Sequence, residues 1–583
     1  MAPSSDHAFA APRVAAPWLR RGGHNSDGEF DSNDIEDSGL DSAACVPSQA
    51  DPCVPDTGVC DGCPATTAVR PCDEPIPWAP AAAENARFDR SASVDCAVSP
   101  TTAYGDRHFA CADALLVWPY LSGGTAGIWA YGADWLGDLD NDGLADLSFQ
   151  RLTAYWLVDD SLSAALIYGG RRLSAGDLES QADAVGVLDL VPVTAAGDVD
   201  GGGLDDILRA VFIAGESPIF GFGLMSGRSR EDGGGLDWPQ PAEYWTVEDE
   251  RRLVTLGLGP AGLAMVDAGD LTGDGVGDLV FSERAEDTHL TQAHTYVLAG
   301  GPDLVPTGSA WDAASWRFSE RWAADAPAVE VVGRAAGDLD GDGADELGML
   351  DAPRSWPVGG RGWRFGTASL DGLAACTYVV ADVIGSSLAV PDATPNDLPL
   401  ANKAEKFAIS RAGDLNGDGL DDVVVVGSVA ADDTGQPVLW FLYGGEPWLS
   451  AGGNLAGNPD RIEFPVVPAS TNVRTPAFDQ IARIDLDANA IDDVVIGGMM
   501  AESFGRAAWA TIIPGVAGGL RGVHAGDDPA FPIVLADDDD YVVPARHSGD
   551  LDADGFEDLV LTAMATYDDE PLSVGIFYGG AFP

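Results

Sequence analysis

Carboxylate residues at alternate positions of a short, glycine-containing segment recur along the chain. The pattern, Asp-x-Asp-x-Asp-Gly-apolar-x-Asp, spans nine residues and occurs in seven copies, which we call loops 1 to 7; they begin at residues 138, 198, 270, 338, 414, 485 and 550. Three or four carboxylates within one turn repel each other strongly, and a compact fold holds them together only when a cation lies between them. Oxygen ligands at alternate positions, with a glycine at position six for the sharp bend, are what Ca²⁺ requires. The pattern therefore predicts a series of calcium-binding loops.

The copies differ in how completely they keep the pattern. Loops 1, 4 and 7 are acidic at positions one, three, five and nine, whereas loops 3 and 5 place a neutral oxygen, Thr272 and Asn416, at position three. Loop 2 has Gly202 at position five, and loop 6 has Ala490 where the glycine should turn the chain. We expect up to seven Ca²⁺, with loops 2 and 6 binding weakly or not at all. The predicted side-chain ligands are Asp138, Asp140, Asp142, Asp146, Asp198, Asp200, Asp206, Asp270, Thr272, Asp274, Asp278, Asp338, Asp340, Asp342, Glu346, Asp414, Asn416, Asp418, Asp422, Asp485, Asp487, Asn489, Asp493, Asp550, Asp552, Asp554 and Asp558.

Two other interpretations of the loops stay open at this point. Magnesium prefers fewer carboxylates and keeps its waters, so it suits the pattern less well than calcium. Solvated acidic turns without any metal would also give single copies of the motif, but they do not account for seven copies at even spacing. A backbone carbonyl at the apolar position seven is expected to complete the calcium coordination.

The segments around the loops predict the elements that position them. Loops 3, 5, 6 and 7 lead into runs typical of β-strands, as in 422–427 and 493–497. About 15 to 20 residues after a loop, an apolar run ends in paired glycines in four units, as in 441–445. A further strand precedes the next loop, for example 461–464. The loops begin 60 to 76 residues apart, so each unit has room for four strands. Seven such units predict an all-β chain, a seven-bladed β-propeller.

The last unit lacks a fourth strand of its own. The chain stops at Pro583, three residues after the paired glycines of that unit. The apolar segment 112–120 lies before loop 1 and belongs to no unit. A propeller must close its ring so that no sheet edge is left with unpaired backbone groups. We therefore predict that this segment pairs with the last unit and joins the two ends of the repeat region.

The loops and strands together resemble FG-GAP or VCBS repeats, the units of the integrin alpha-subunit propeller and of many bacterial surface proteins. The resemblance covers residues 112–583 and is carried best by Gly413-Asp-Leu-Asn-Gly-Asp-Gly-Leu-Asp-Asp-Val-Val-Val-Val426. The Phe-Gly and Gly-Ala-Pro signatures are mostly missing, with Phe407-Ala where Phe-Gly would stand, so the resemblance is to the divergent bacterial type. It implies an extracellular, calcium-stabilised scaffold for adhesion or ligand binding.

Residues 1–111 carry no such unit. Residues 1–44 are acidic and of low complexity, as in a disordered tail. Residues 45–111 hold seven of the eight cysteines, which favours a disulfide-stapled segment in an oxidising compartment; zinc bound by cysteines of this segment is the alternative. The cysteines are Cys45, Cys53, Cys60, Cys63, Cys72, Cys96, Cys111 and, far from the others, Cys376.

Charge and motifs restrict the function classes. With 31 basic against 93 acidic residues the net charge is −62, so nucleic acid and anionic membranes are poor partners. Neither a signal peptide nor a run of about 18 apolar residues is visible, yet disulfides and calcium sites favour an extracellular or cell-surface location. No His-Glu-x-x-His or Gly-x-Ser-x-Gly motif occurs, so no catalytic residue is predicted. We expect a monomeric, non-catalytic adhesion or binding module for an unidentified protein or glycan; the alternative is a propeller-based polysaccharide lyase or hydrolase.

Overall fold

The structure is a computed structural model. The chain divides into two compact units, 1–50 and 51–583, and every described residue belongs to the second. The eight cysteines lie outside the described residues, so the predicted disulfides and the zinc alternative do too. The described residues are 107–109, 112–118, 128–153, 161–188, 193–213, 219–227, 245–246, 266–283, 294–319, 329–353, 363–371, 373–375, 377–379, 386–390, 409–429, 436–451, 453–455, 458–464, 480–500, 507–526, 528, 530–537, 541–545, 547–564 and 572–579.

These residues are almost entirely β-structure. Two single-turn helices occur among them, α1 (Ala310–Ala313) and α2 (Trp448–Ala451). The strands in chain order are β1 (Arg107–His108), β2 (Ala114–Trp118), β3 (Ile128–Gly137), β4 (Asp146–Thr153), β5 (Ser161–Ile167), β6 (Gly176–Asp177), β7 (Ala184–Leu188), β8 (Val193–Gly197), β9 (Asp206–Ile213), β10 (Ile219–Met225), β11 (Trp245–Thr246), β12 (Val266–Gly269), β13 (Asp278–Glu283), β14 (His294–Leu298), β15 (Gly308–Ser309), β16 (Trp316–Ser319), β17 (Val329–Ala335), β18 (Leu347–Pro353), β19 (Trp363–Ala368), β20 (Thr377–Val379), β21 (Ser386–Val390), β22 (Ile409–Gly413), β23 (Asp422–Val429), β24 (Gln436–Leu442), β25 (Gly453–Asn454), β26 (Arg461–Glu463), β27 (Gln480–Ile484), β28 (Asp493–Met500), β29 (Ala507–Ile513), β30 (Val523–Ala525), β31 (Ile533–Asp537), β32 (Tyr541–Pro544), β33 (Leu559–Met564) and β34 (Leu572–Phe577).

Within the described residues the strands form seven small sheets, which we number by the loop that each contains. Every sheet is built on four antiparallel strands. In chain order of their loops, the four strands are β3-β4-β5-β7, β8-β9-β10-β11, β12-β13-β14-β16, β17-β18-β19-β21, β22-β23-β24-β26, β27-β28-β29-β31 and β32-β33-β34-β2.

Strand β2 completes sheet 7. It pairs antiparallel with β34, with Leu116 opposite Val574. The prediction that the segment before loop 1 supplies the missing strand of the last unit is confirmed. The two ends of the repeat region are therefore joined by backbone hydrogen bonds.

Short parallel strands, which the sequence analysis did not foresee, link consecutive sheets. A two- or three-residue strand that follows the third strand of one sheet pairs in parallel with the outer strand of the preceding sheet, as β15 does with β11 and β20 with β16. The same pairing joins sheet 1 to sheet 7 through β6 and β2, and β1 joins the region of sheet 7 to sheet 6. Six of the seven sheets therefore have five strands rather than the predicted four.

The core lies between the faces of consecutive sheets. Val424 packs with Ile496 of sheet 6, whereas its chain neighbours Val423 and Val425 pack on the opposite side with Leu339 of loop 4. Both faces of the strand are therefore buried, which explains why β23 is a continuous valine run instead of alternating apolar and polar residues. None of the helices in the described part of the chain has the length and hydropathy needed to cross a membrane.

Candidate metal centres

All seven loops have one backbone conformation. Each connects the first and second strands of its sheet, and in each the residues at positions four and six have positive φ. Glycine occupies position six in six loops, where φ is 84–92°. Ala490 holds the same position in loop 6 with a φ of 64°, although a left-handed conformation is costly for a residue with a Cβ. The degenerate loops 2 and 6 thus fold like the complete ones.

The acid at position one organises its own loop. In every copy one of its carboxylate oxygens accepts a hydrogen bond from the backbone N–H of position six, at 2.7 to 3.1 Å. In loops 1, 3, 5, 6 and 7 the other oxygen accepts from position five. This carboxylate therefore fixes the turn, because it replaces the backbone partners that the turn cannot provide.

The acid at position nine ties the loop to the sheet. Its carboxylate accepts a hydrogen bond from the backbone N–H of position two in six loops, and from Thr272 at position three in loop 3. In six loops its second oxygen accepts from the second residue after the third strand, for example Gly444 N–H at 2.8 Å from Asp422 Oδ1. A Cβ on Gly444 would lie 2.5 Å from the carbonyl oxygen of Asp421. The first glycine of the pair after the third strand is thus required by the close approach of the loop backbone.

The position-nine carboxyls are deeply buried, with at most 4% of the residue exposed. Removal from water disfavours the charged form and outweighs the hydrogen bonds from the backbone. Burial therefore raises the pKa of Asp206 and Asp278 to about 6, of Asp146 and Asp558 to about 7, and of Glu346, Asp422 and Asp493 to about 8. These carboxylates need a nearby positive charge to be fully ionised at neutral pH.

Four loops bring three carboxylates together with their oxygens within 4.8 Å of one another. They are loops 1, 2, 4 and 7, so loop 2 assembles such a group in spite of Gly202 at position five. The described residues of loop 6, the other degenerate copy, do not assemble one. The groups are Asp138, Asp140 and Asp146; Asp198, Asp200 and Asp206; Asp338, Asp340 and Glu346; and Asp550, Asp552 and Asp554.

Several predicted ligand oxygens are buried with no hydrogen-bond donor among the described residues. These atoms are Asp198 Oδ1, Thr272 Oγ1 and Glu346 Oε1, in loops 2, 3 and 4. A buried oxygen without a donor costs free energy unless something positive satisfies it. The donor set is oxygen throughout, which suits a hard cation. The residues present therefore fit a metal ion in these loops.

A set of acids at position eight, which the sequence analysis did not single out, connects neighbouring loops. Their carboxylates accept the backbone N–H of position one in the preceding loop, at 2.6 to 3.1 Å. Arg411 bridges two of them, with 3.0 Å to Asp345 and 2.7 Å to Asp421. An acid recurs at position eight in five of the seven copies, so the signal was present in the sequence. The residues are Asp205, Asp345, Asp421, Asp492 and Glu557.

Comparison with known proteins gives only distant similarities. No protein-family model and no curated protein sequence matches the chain. Among solved structures, the V. cholerae biofilm matrix protein Bap1 is similar over 79% of this chain and 90% of that one, with 12% identity and a TM-score of 0.30. A mannose phosphorylase from Leishmania mexicana, MPT-4, is similar over 57% of this chain and 85% of that one, with 12% identity and a TM-score of 0.23. The beta-fructofuranosidase of Schwanniomyces occidentalis is similar over 83% of this chain and all of that one, with 10% identity and a TM-score of 0.22. Similarities of this size assign neither a family nor an activity.

Proposed function

We propose that the chain is a seven-bladed β-propeller of the FG-GAP or VCBS type, whose loops bind up to seven Ca²⁺ and which acts as a non-catalytic adhesion or ligand-binding module outside the cell. One observation carries the proposal: the nine-residue loop has the same backbone conformation in all seven copies, with the N–H of position six bonded to the acid at position one and a buried acid at position nine. A repeated, preformed cluster of oxygen ligands is best explained by a repeated cation site.

The propeller arrangement is supported by the order of the sheets. Each sheet meets the next one along the chain, through a parallel strand pair or, between loops 1 and 2, through the backbone bond of Asp205 N–H to Asp138 carbonyl oxygen. Sheet 7 takes one strand from the segment before loop 1 and a second from the region of sheet 1. An arrangement of four-stranded sheets that returns on itself in this way is typical of a propeller.

Calcium is favoured over other cations by the donor set. The proposed ligands are carboxylate, hydroxyl and amide oxygens, and the loops gather more carboxylates than magnesium ordinarily takes. Loop 2 has three clustered carboxylates, and one buried oxygen in it, Asp198 Oδ1, accepts no hydrogen bond from the described residues. We therefore place loop 2 among the binding loops. Loop 6 is the weakest candidate.

A binding role is favoured over catalysis by what the acids contact. The carboxylates at positions one, eight and nine accept hydrogen bonds from the backbone of their own or neighbouring loops. Side chains used in this way hold a scaffold together and are not available to transfer protons to a substrate. An extracellular location follows from the proposed calcium dependence, since millimolar calcium is found outside cells and would keep weak sites filled. The ligand class that we propose is a surface protein or a glycan.

Thermal melting with and without EDTA tests the metal, and binding assays test the role. A ligand that binds only the folded chain raises its melting temperature, so chelation must lower it. Calcium should restore the lost stability at lower concentrations than magnesium does. A glycan array probed with the calcium-loaded and the EDTA-treated protein, followed by product analysis for every glycan bound, tests the second part. Release of a cleaved product would overturn the non-catalytic assignment and favour a carbohydrate-active enzyme.

A further inference from the structure

In loop 7 an arginine from another sheet reaches the proposed metal ligands. The guanidinium of Arg172 donates through Nε to Oδ2 of Asp552 and through Nη2 to Oδ2 of Asp554, the latter at 2.9 Å. These residues hold positions three and five of the loop. Their Oδ1 atoms already accept backbone N–H groups of the same loop at 3.1 Å, so the arginine takes the oxygens that are left for a cation. The Asp552 side chain is only 1% exposed, whereas that of Arg172 is 62% exposed.

The position of Arg172 is set by the packing of sheet 1 on sheet 7. The segment after the third strand of sheet 1 lies across loop 7, with Gly170 N–H and Arg171 N–H donating to the carbonyl oxygen of Leu551. Arg172 then stacks on the ring of Tyr578, 4.8 Å from its centroid. Leu173 N–H donates to the Tyr578 hydroxyl at 2.5 Å. Contacts on both sides of the residue therefore direct its guanidinium to the loop.

The equivalent segments over loops 2, 4 and 5 carry no arginine at this place. The same backbone bond to the carbonyl of position two is made over loops 2, 4 and 5 by Gly301, Gly445 and Val516. Two residues further along, where sheet 1 has Arg172, these segments have the residues Asp303, Pro447 and Gly518. Among these four junctions, the arginine is particular to the one between the last sheet and the first.

We propose that Arg172 is the built-in cation of loop 7, and that it competes with the metal ion for the oxygens of Asp552 and Asp554. The inference rests on the proposed metal-binding function of the loops. A guanidinium matches a pair of carboxylates in charge and geometry, and an arginine does not lose its charge in proteins. Loop 7 has a complete ligand set, yet metal can bind there only when the guanidinium leaves. Loop 7 is therefore held in its folded form without metal, and it fills at higher calcium concentrations than loop 4, which has the same set of acidic positions and Pro447 at the place of the arginine.

Arg521 offers a matched control. It stacks on Tyr443, the counterpart of Tyr578, with its guanidinium carbon 4.1 Å from the ring centroid. It pairs with Glu446 at 2.6 Å and Asp460 at 2.9 Å, neither of which is a predicted metal ligand. Loss of Arg521 removes the same charge and the same ring contact from an equivalent junction, but it frees no loop oxygen.

The test is a calcium titration of the full chain and of three variants, R172Q, R172K and R521Q, each first stripped with EDTA and dialysed free of it. Bound calcium is counted by native mass spectrometry at a series of free calcium concentrations, and affinities are measured by calorimetry. With R172Q we expect one site to tighten by about tenfold, because a competing unit charge next to a divalent ion has been removed. R172K should fall between R172Q and the unmodified chain, since lysine keeps the charge but not the paired geometry. R521Q should bind as the unmodified chain does.

The outcomes separate this inference from the proposed function. If the unmodified chain and R172Q bind calcium with the same number of sites and the same affinities, Arg172 does not compete and the inference is wrong. If no protein in the set binds calcium, the proposed function fails, and competition at loop 7 fails with it. A double-mutant cycle of R172Q with D552N, melted in EDTA, serves as a readout that needs no metal. We expect a favourable coupling between the two residues that disappears in saturating calcium; a coupling that calcium leaves unchanged would also overturn the inference.

Discussion

Replacement of Asp422 by asparagine separates the hydrogen-bonding role that the structure shows for the acid at position nine from its proposed role as a calcium ligand. Asp422 is fully buried in loop 5, and its two oxygens accept the N–H groups of Leu415 and Gly444, each at 2.8 Å. It is also a proposed calcium ligand. Asparagine has nearly the same shape, but it keeps one acceptor oxygen and carries no charge.

The two roles predict losses of different size under different conditions. One of the two backbone N–H groups loses its acceptor in D422N, which costs about 1–3 kcal/mol with or without metal. When the free calcium concentration is about a hundredfold above the Kd of a site, calcium bound there adds about 2.7 kcal/mol to the stability of the folded chain. Loss of that site is felt only when calcium is present. D422N should therefore be destabilised by roughly 2–3 kcal/mol more in calcium than in EDTA.

The assay is thermal melting of D422N and of the unmodified chain, each in saturating calcium and in EDTA at pH 6. The entropy of unfolding is about 2.1 cal/mol/K per residue, so a change of 1 kcal/mol shifts the melting temperature of a body the size of residues 112–583 by about 1 °C. The additional drop in calcium should therefore be about 2–3 °C. D421N is the matched control. Asp421 is the neighbouring residue and accepts hydrogen bonds from Asp338 N–H and Arg411, but it is not a predicted ligand. Its loss should cost the same in both conditions. An equal drop for D422N in calcium and in EDTA would refute a ligand role for Asp422 and leave it only a hydrogen-bond acceptor.

Three further predictions follow from the same structure. In EDTA, the melting temperature should fall as the pH rises from about 4 to about 8, because the position-nine carboxyls have higher pKa values in the folded chain than in the unfolded chain. The folded chain therefore binds more protons in this range, and a rise in pH removes that stabilisation. In calcium this slope should flatten, and equal slopes in calcium and in EDTA would contradict the cation sites. L116A should cost about 2–5 kcal/mol in urea unfolding, because Leu116 is fully buried in the strand that completes sheet 7, whereas L115A on the half-buried side of that strand should cost less. G444A should lower the melting temperature of the chain and the calcium affinity of loop 5, because its Cβ would lie 2.5 Å from a backbone oxygen. G419A should cost only about 1–2 kcal/mol of stability, since Ala490 adopts the same left-handed turn in loop 6. A larger loss of stability for G419A than for G444A would contradict this reasoning.

Much of the architecture could be predicted from the sequence because local patterns specify it. The strand predicted at 422–427, directly after loop 5, is present as β23 (Asp422–Val429). The segment that became β2 could be assigned to sheet 7 because it was the unused apolar run next to a unit that needed a strand. In both cases apolar residues and turn residues carried the information, and these act over short distances.

The parts that were missed depend on tertiary contacts between segments far apart in the chain. The parallel strand β6 contains only Gly176 and Asp177, and nothing in those residue types favours a strand. They pair because sheet 1 lies against β2. Arg172 contacts loop 7 across 380 residues of chain, which no local pattern reveals. The acids at position eight were visible as a repeat, but their partner lies in the preceding loop, so the sequence alone could not indicate what they bind.

In loops 2, 5, 6 and 7 the hydrogen bonds connect three parts of the molecule. Position one receives N–H groups from its own turn, position nine receives one from the end of the third strand of the same sheet, and position eight receives one from the preceding loop. A cation that holds positions one and nine together therefore also fixes the strand end that contacts position nine. The neighbouring acid at position eight is held with it, because positions eight and nine are adjacent in the chain. The loops are thus linked in series from sheet to sheet, and a cation bound in one of them stabilises the junction with the sheet before it as well as its own turn.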